Sequence, residues 1–186
     1  MMLSAIAHIL TAFGLSSASG LNAYIPLLIV ALTARFTDWI KLSPPFDVLT
    51  NGWVIGVLIV LLVIEMIVDK IPAADTLNDI IQTLIRPTAG AILFAASTSV
   101  INLHPVIAVI LGLILAFSVH AVKATARPVV TASTGGLGNM FVSVAEDIVS
   151  AIMSVVAIVL PILIVLFLAF IIFVFLMFRS RKRVTA

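Results

Sequence analysis

The length of its apolar runs constrains this chain more than anything else in it. "WVIGVLIVLLVIEMIV" (Trp53 to Val68), Val106 to Val122 and Ile148 to Phe178 approach or exceed the roughly 18 to 20 residues a helix needs to cross hydrocarbon. Lipid offers backbone N–H and C=O groups no partner, so uninterrupted runs of this length read as helices that bond internally. The composition agrees: 63% of residues are hydrophobic and 10% charged, with mean hydropathy +1.34. A soluble domain carries about a quarter charged residues. The expected fold is an all-α, polytopic integral membrane protein.

No polar stretch is long enough for an appended soluble domain, which excludes catalysis by one. The absence of cysteine excludes disulfides, thiolate nucleophiles and Cys-ligated metals. The first basic side chain is Arg35, so the N-terminus lacks the charged region of a secretory signal and is expected to be retained. "RSRKR" (Arg179 to Arg183) directly follows the last apolar run. The positive-inside rule makes residues 179–186 a cytoplasmic tail, on a single membrane domain over residues 1–178 of a bacterial inner-membrane protein.

Two polar interruptions break the pattern. The first is "GLSSASGLNAYIPLL" (Gly14 to Leu28), between the short apolar stretches 3–15 and 23–36. Two half-length helices about a Ser/Gly turn predict a re-entrant hairpin or a broken spanning helix. An interfacial loop with Trp39 and Trp53 near its ends follows. Asp69 to Pro87 reads as amphipathic, and Thr88 to Leu103 as a span rich in small residues. The second interruption is "HAVKATARPVVTASTGGLGN" (His120 to Asn139). Ile148 to Phe178 would be about 45 Å long as one helix, which predicts a break near Pro161. The expectation is five or six crossing helices plus two broken or re-entrant Ser/Gly elements.

The interruptions echo each other. "SASGLN" (Ser17 to Asn22) parallels "STGGLG" (Ser133 to Gly138), and "IRPTAGA" parallels "ARPVVTASTGG". These echoes suggest two halves, about 1–100 and 101–178, related as an inverted repeat in the manner of transporters. The two Ser/Gly turns would then face each other inside the membrane.

Ionisable side chains within spans are costly and mark functional sites by default. Arg86, Arg127 and Lys123 suit phosphate or carboxylate recognition. Turns that open helices present free N–H groups and a positive dipole end. Ser17, Ser19, Gly20 and Asn22 in one turn, and Ser133, Thr134, Gly135, Gly136 and Asn139 in the other, would add such donors, as would the "RPT" turn before Ala89, where Pro87 suits a helix start. Glu65, Asp69, Lys70, Asp75, Asp79, His120, Glu146 and Asp147 would serve coupling or gating. Alternatively the same charges are structural ion pairs that lock helices together. No His/Asp/Glu spacing resembles a metal-ligand set, and no cofactor is expected. "SASG" is similar to the Gly-x-Ser-Gly of rhomboid intramembrane proteases, which would cast Ser19 as nucleophile and His120 as base, but Ser17 replaces the first glycine.

Together, "GLSSASGLNAYIPLL", "DKIPAADTLND…RPTAGA" and "KATARP…STGGLGN…SVAED" resemble the bacterial membrane proteins classed as domain of unknown function 4126, over about Gly14 to Asp147. That resemblance implies one compact membrane domain and carries no activity with it. In layout alone, the chain resembles DedA-type translocases of lipid-linked phosphates. The expected function is a transporter or translocase, not an enzyme, for an anionic small molecule or lipid-linked substrate bound near midplane. Its partners would be membrane lipid and that substrate, without nucleic acid, and a homodimer is compatible with this. The competing readings are a non-transporting scaffold or assembly factor and, more remotely, an intramembrane serine hydrolase.

Overall fold

The computed structural model describes residues 2–69, 72–101 and 103–161, with side chains for 4–69, 78–101 and 103–161. Lys70, the Asp75 side chain and the basic tail lie outside the described residues. Among the described residues six α-helices run in order: α1 (Met2–Leu21), α2 (Tyr24–Phe36), α3 (Gly52–Val68), α4 (Pro72–Thr98), α5 (Pro105–Thr134) and α6 (Leu137–Val159). Among the described residues there is no strand. Residues 4–21, 78–101, 105–134 and 137–159 are long and apolar enough to cross a membrane; α2 and α3 are apolar but only 13 and 17 residues long. This is the architecture of a multi-pass, all-helical membrane protein.

α1 is the central helix, with α4, α5 and α6 all packed on it, while α2 and α3 pair with each other and lean on α6 and α4. Polar side chains turn inward beside an apolar core of residues such as Leu15, Leu27, Val30 and Leu93, and the outer face is apolar. On α6 the buried positions are Asn139, Ser143, Ser150, Ser154 and Ala157, while Phe141, Ile148 and Ile152 are exposed. α3 likewise turns Val60, Val63, Ile64 and Ile67 outward and Glu65 inward. In lipid the outward apolar face costs nothing, and association depends on close packing and interhelical hydrogen bonds. Ser16 Oγ donates to the Gly90 carbonyl at 2.8 Å, Ser150 Oγ to the Ala18 carbonyl at 3.0 Å, and Thr11 Oγ1 to the Ala157 carbonyl at 2.7 Å.

Glycine sets the α4–α5 crossing. A Cβ on Gly112 would meet the Gly90 carbonyl oxygen, and one on Gly90 would meet the Ala116 side chain. The backbones therefore touch at this point.

Three expectations are corrected. The Ser/Gly stretch is not a turn: α1 continues through Ser16, Ser17, Ser19 and Gly20 to Leu21, and the break falls at Asn22 and Ala23. Small polar residues remain helical in a bundle because neighbouring helices take up their hydroxyls. Arg86-Pro87 does not start a helix; α4 runs through Pro87, and α5 runs through Pro128 and the expected second interruption as far as Thr134. Proline bends or strains a helix rather than ending it where packing on both sides holds the chain. α6 does end at Val159, just before Pro161.

Candidate functional site

Charged side chains from four helices converge at the end of the bundle that holds the α1–α2 junction, the end of α3 and the α5–α6 turn. Helical spacing selects them. Glu65 and Asp69 lie one turn apart, as do Asp79, Thr83 and Arg86 along α4, and His120, Lys123 and Arg127 along α5. The antiparallel α4–α5 register, set by Gly90 against Ala116, then places Asp79 opposite Arg127 and Arg86 opposite His120.

Arg86 is fully buried. Its Nη2 lies 3.0 Å from Glu65 Oε1 and 3.9 Å from Asp69 Oδ2, and its Nη1 lies 3.7 Å from Asp79 Oδ1. Arg127 reaches Asp69 at 3.3 Å, Asp79 at 3.3 Å and Glu146 at 3.1 Å. Lys123 Nζ lies 2.8 Å from Glu146 and 3.7 Å from Asp69. Asp69 is the hub. It also accepts from Asn78 Nδ2 at 2.6 Å and from Ser143 Oγ at 3.1 Å. Burial alone would raise its carboxyl, but Lys123, Arg127, the Asn78 bond and Arg86 together hold it below the ordinary carboxylate value.

His120 is held as one tautomer. Its Nδ1 lies 3.0 Å from Arg86 Nη1, which can only donate, so Nδ1 accepts and the ring is neutral. Its Nε2 then donates to Thr83 Oγ1 at 3.0 Å, while the Thr83 hydroxyl donates to the Asp79 carbonyl at 2.8 Å.

The α1–α2 junction adjoins this cluster. Asn22 Oδ1 accepts from the Tyr24 and Ile25 N–H groups, both at 3.0 Å, and its Nδ2 donates to Asp147 Oδ1 at 2.9 Å. Lys123 Nζ also donates to the Leu21 carbonyl at 3.2 Å. A cation there complements the negative end of α1. The sequence reading expected a positive helix N-terminus at Ser17 to Asn22. The fold places the C-terminus of α1 over Ser17 to Leu21, and only Asn22 serves the N-terminus of α2.

Arg86, Arg127, Lys123, Glu65, Asp69, Asp79, His120 and Glu146 thus form one cluster, with Asn139 at its edge through a 2.8 Å bond to Thr131 Oγ1, and with Asp147 beside it. Ser17 is half-buried on α1. The Ser19 hydroxyl lies 2.7 Å from the Ser16 carbonyl and 3.4 Å from the Arg86 carbonyl, both acceptors for it, and Gly20 packs on Ala116 and Val119. Ser133, Thr134 and Gly135 sit exposed on the α5–α6 turn, where both hydroxyls bond the Val130 carbonyl. Gly135 and Gly136 adopt φ of 62° and 89°, so glycine serves the turn itself. The contacts of α1's Ser/Gly stretch go to α4, α5 and α6 well away from this turn.

Sequence reading missed Asn78, Thr83, Gln82, Thr131 and Ser143. The signal was present: each lies within one turn of a charged residue on the same helix. Two grooves reach the cluster. One of ≈ 520 Å³ is lined by Asp79, Thr83, Arg127, Thr131 and Asn139. The other, ≈ 470 Å³ and mostly apolar, runs along Leu21, Val119 and Val122 to Lys123 and Glu146.

A family described as domain of unknown function (DUF4126) matches residues 9–182. The chain belongs to that family. No curated protein and no solved structure is matched, and nothing in the comparisons supports the likeness to DedA-type translocases. The three sequence motifs that resembled DUF4126 proteins meet in space in this cluster. The first supplies Asn22, the second Asp69, Asp79 and Arg86, and the third Lys123, Arg127, Asn139, Ser143, Glu146 and Asp147.

Proposed function

We propose that this DUF4126 protein is a small membrane transporter or translocase whose substrate carries a phosphate or carboxylate group. The observation that carries this reading is the open groove on Arg127 and Asp79. It leads to a network in which each cation is shared among two or more carboxylates at 2.8 to 3.9 Å. Such pairs can change partners without stranding a bare charge. An anionic group entering the groove would replace Asp79 or Glu146 at Arg127, with Thr131, Asn139 and Thr83 as further polar contacts. The apolar groove ending at Lys123 suits a lipid-linked substrate over a small free anion. In this reading the chain crosses the membrane five or six times, the break at Asn22 lies within the membrane, and the C-terminus faces the cytoplasm of a bacterial cell.

Reconstitution with a panel of anions and lipid phosphates tests the proposal, comparing the native chain with Arg127→Ala, Arg127→Lys and Arg86→Ala. Arg127→Ala should lose uptake or flipping by about tenfold or more, the scale of one lost charge-assisted hydrogen bond, with partial rescue in Arg127→Lys. Equal flux in all four would end the arginine reading. The sealed Arg86 favours a second reading, a scaffold locked by ion pairs, which predicts no flux of any panel member by the well-folded native protein.

A further inference from the structure

Among the described side chains, Glu65, Asp69, Asp79 and Glu146 form one connected set with Arg86, Lys123 and Arg127. Four carboxylates face three cations, and the neutral His120 adds no charge. Counted over the described side chains alone, the set carries one more negative than positive charge inside a helix bundle, where unpaired charge is expensive. One further positive charge would neutralise it.

The carboxylates are unequally supported. Asp69 has three cations and two neutral donors. Asp79 lies between two arginines, and Glu146 between Lys123 and Arg127. Among the described residues Glu65 has Arg86 as its only ion pair, through Oε1, and Oε2 has no hydrogen-bond partner; its side chain is 1% exposed. The other titratable or charged groups around it are Tyr24 from α2, Lys123 from α5 and Asp69 at the end of its own helix. Gln82, one turn before Arg86 on α4, is buried as well, and among the described residues its Oε1 has no hydrogen-bond partner. Among the described residues, Glu65 Oε2 and Gln82 Oε1 thus leave this corner with a surplus of unbonded acceptors.

A proton answers that surplus better than a metal ion does. The Arg86 guanidinium 3.0 Å from Oε1 would repel a second full cation. A hydrogen on Oε2 neutralises the carboxyl and leaves Oε1 as an acceptor for Arg86. We propose that Glu65 is the site at which this protein takes up and releases a proton, and that Arg86 transmits the change to the groove. On uptake the O–H bond on Oε2 forms as an O–H bond of a hydronium ion breaks and leaves water; release reverses both. With Glu65 neutral, Arg86 is held less strongly through Nη2 and shifts toward Asp79, which its Nη1 already approaches at 3.7 Å. Asp79 then loosens from Arg127, and an anion can take its place. The consequence at the groove rests on the transporter reading; the protonation does not.

Infrared difference spectroscopy of the reconstituted protein across a pH titration tests the site directly. The native chain should show one protonated-carboxyl C=O band that shifts in D2O and is lost as pH rises. Glu65→Gln should abolish that band, and Asp79→Asn should keep it. No such band in the native chain, or a band that survives in Glu65→Gln, would overturn the proposal, whether or not flux is detected. Where flux is found, Glu65→Gln should lose its pH dependence while retaining substrate exchange. Unchanged pH dependence would refute the link through Arg86.

Discussion

Replacing Arg86 with methionine keeps an unbranched apolar stem and removes the guanidinium and its charge. Of the carboxylates around Arg86, Asp69 keeps Lys123 and Arg127, and Asp79 keeps Arg127 at 3.3 Å. Glu65 alone loses its only ion pair, in a position 2% exposed. The cost is therefore that of one stranded buried carboxylate, about 3 to 5 kcal/mol. Glu65→Leu is expected to cost less, because Arg86 retains Asp79, Asp69 and His120. Combining the two removes the pair and fills its space with apolar atoms, a change that is often near neutral. The double variant should thus recover about 2 kcal/mol or more relative to Arg86→Met. Equilibrium unfolding in mixed detergent micelles, followed by helical circular dichroism, reads all four corners of this cycle. If the two single effects add to within about 0.5 kcal/mol, Glu65 and Arg86 are not coupled, and the account of the cluster as a set of exchangeable pairs fails.

Asn22→Ala removes the acceptor for two N–H groups at the start of α2, about 1 to 2 kcal/mol, and leaves Asp147 without its donor, a further loss of about 1 to 3 kcal/mol. Asn22→Ser, which can still cap, should unfold later than Asn22→Ala in the same assay; equal loss would show that the cap is idle. Gly112→Val places atoms against the Gly90 carbonyl, the Phe94 Cβ and the Ala91 Cα, and backbone cannot yield there as a flexible side chain would. It should cost about 1 to 3 kcal/mol or more, while Gly56→Ala, with nothing within 4 Å of the new Cβ, should be neutral or stabilising in a thermal melt.

The helices and the polarity of the bundle were legible in the sequence because both follow from local periodicity. Apolar runs without partners in lipid must be helical. The polar stripe Asn139, Ser143, Asp147, Ser150 and Ser154 marks an inward face at helical spacing, although only Asp147 and Asn139 drew notice. The one-turn sets Glu65 and Asp69, and His120, Lys123 and Arg127, were visible for the same reason. What the "RPTAGA" and "SASGLN" stretches would do was not legible. Ser, Gly and Pro can break a helix or line a tight helix contact, and the choice depends on what packs against them. Gly90 and Gly112 bring α4 and α5 into backbone contact, so Pro87 and Pro128 stay within continuous helices. The hydroxyls of Ser16 and Ser19 find carbonyls on α4 and within α1, so α1 extends to Leu21. Sequence alone therefore determined that this chain is helical, lies in a membrane and carries charge inside it. Tertiary structure decided which charges meet, and with them which carboxylate is left short of a partner: pairing across helices is set by an interhelical register that packing of distant glycines fixes, and no local pattern encodes it.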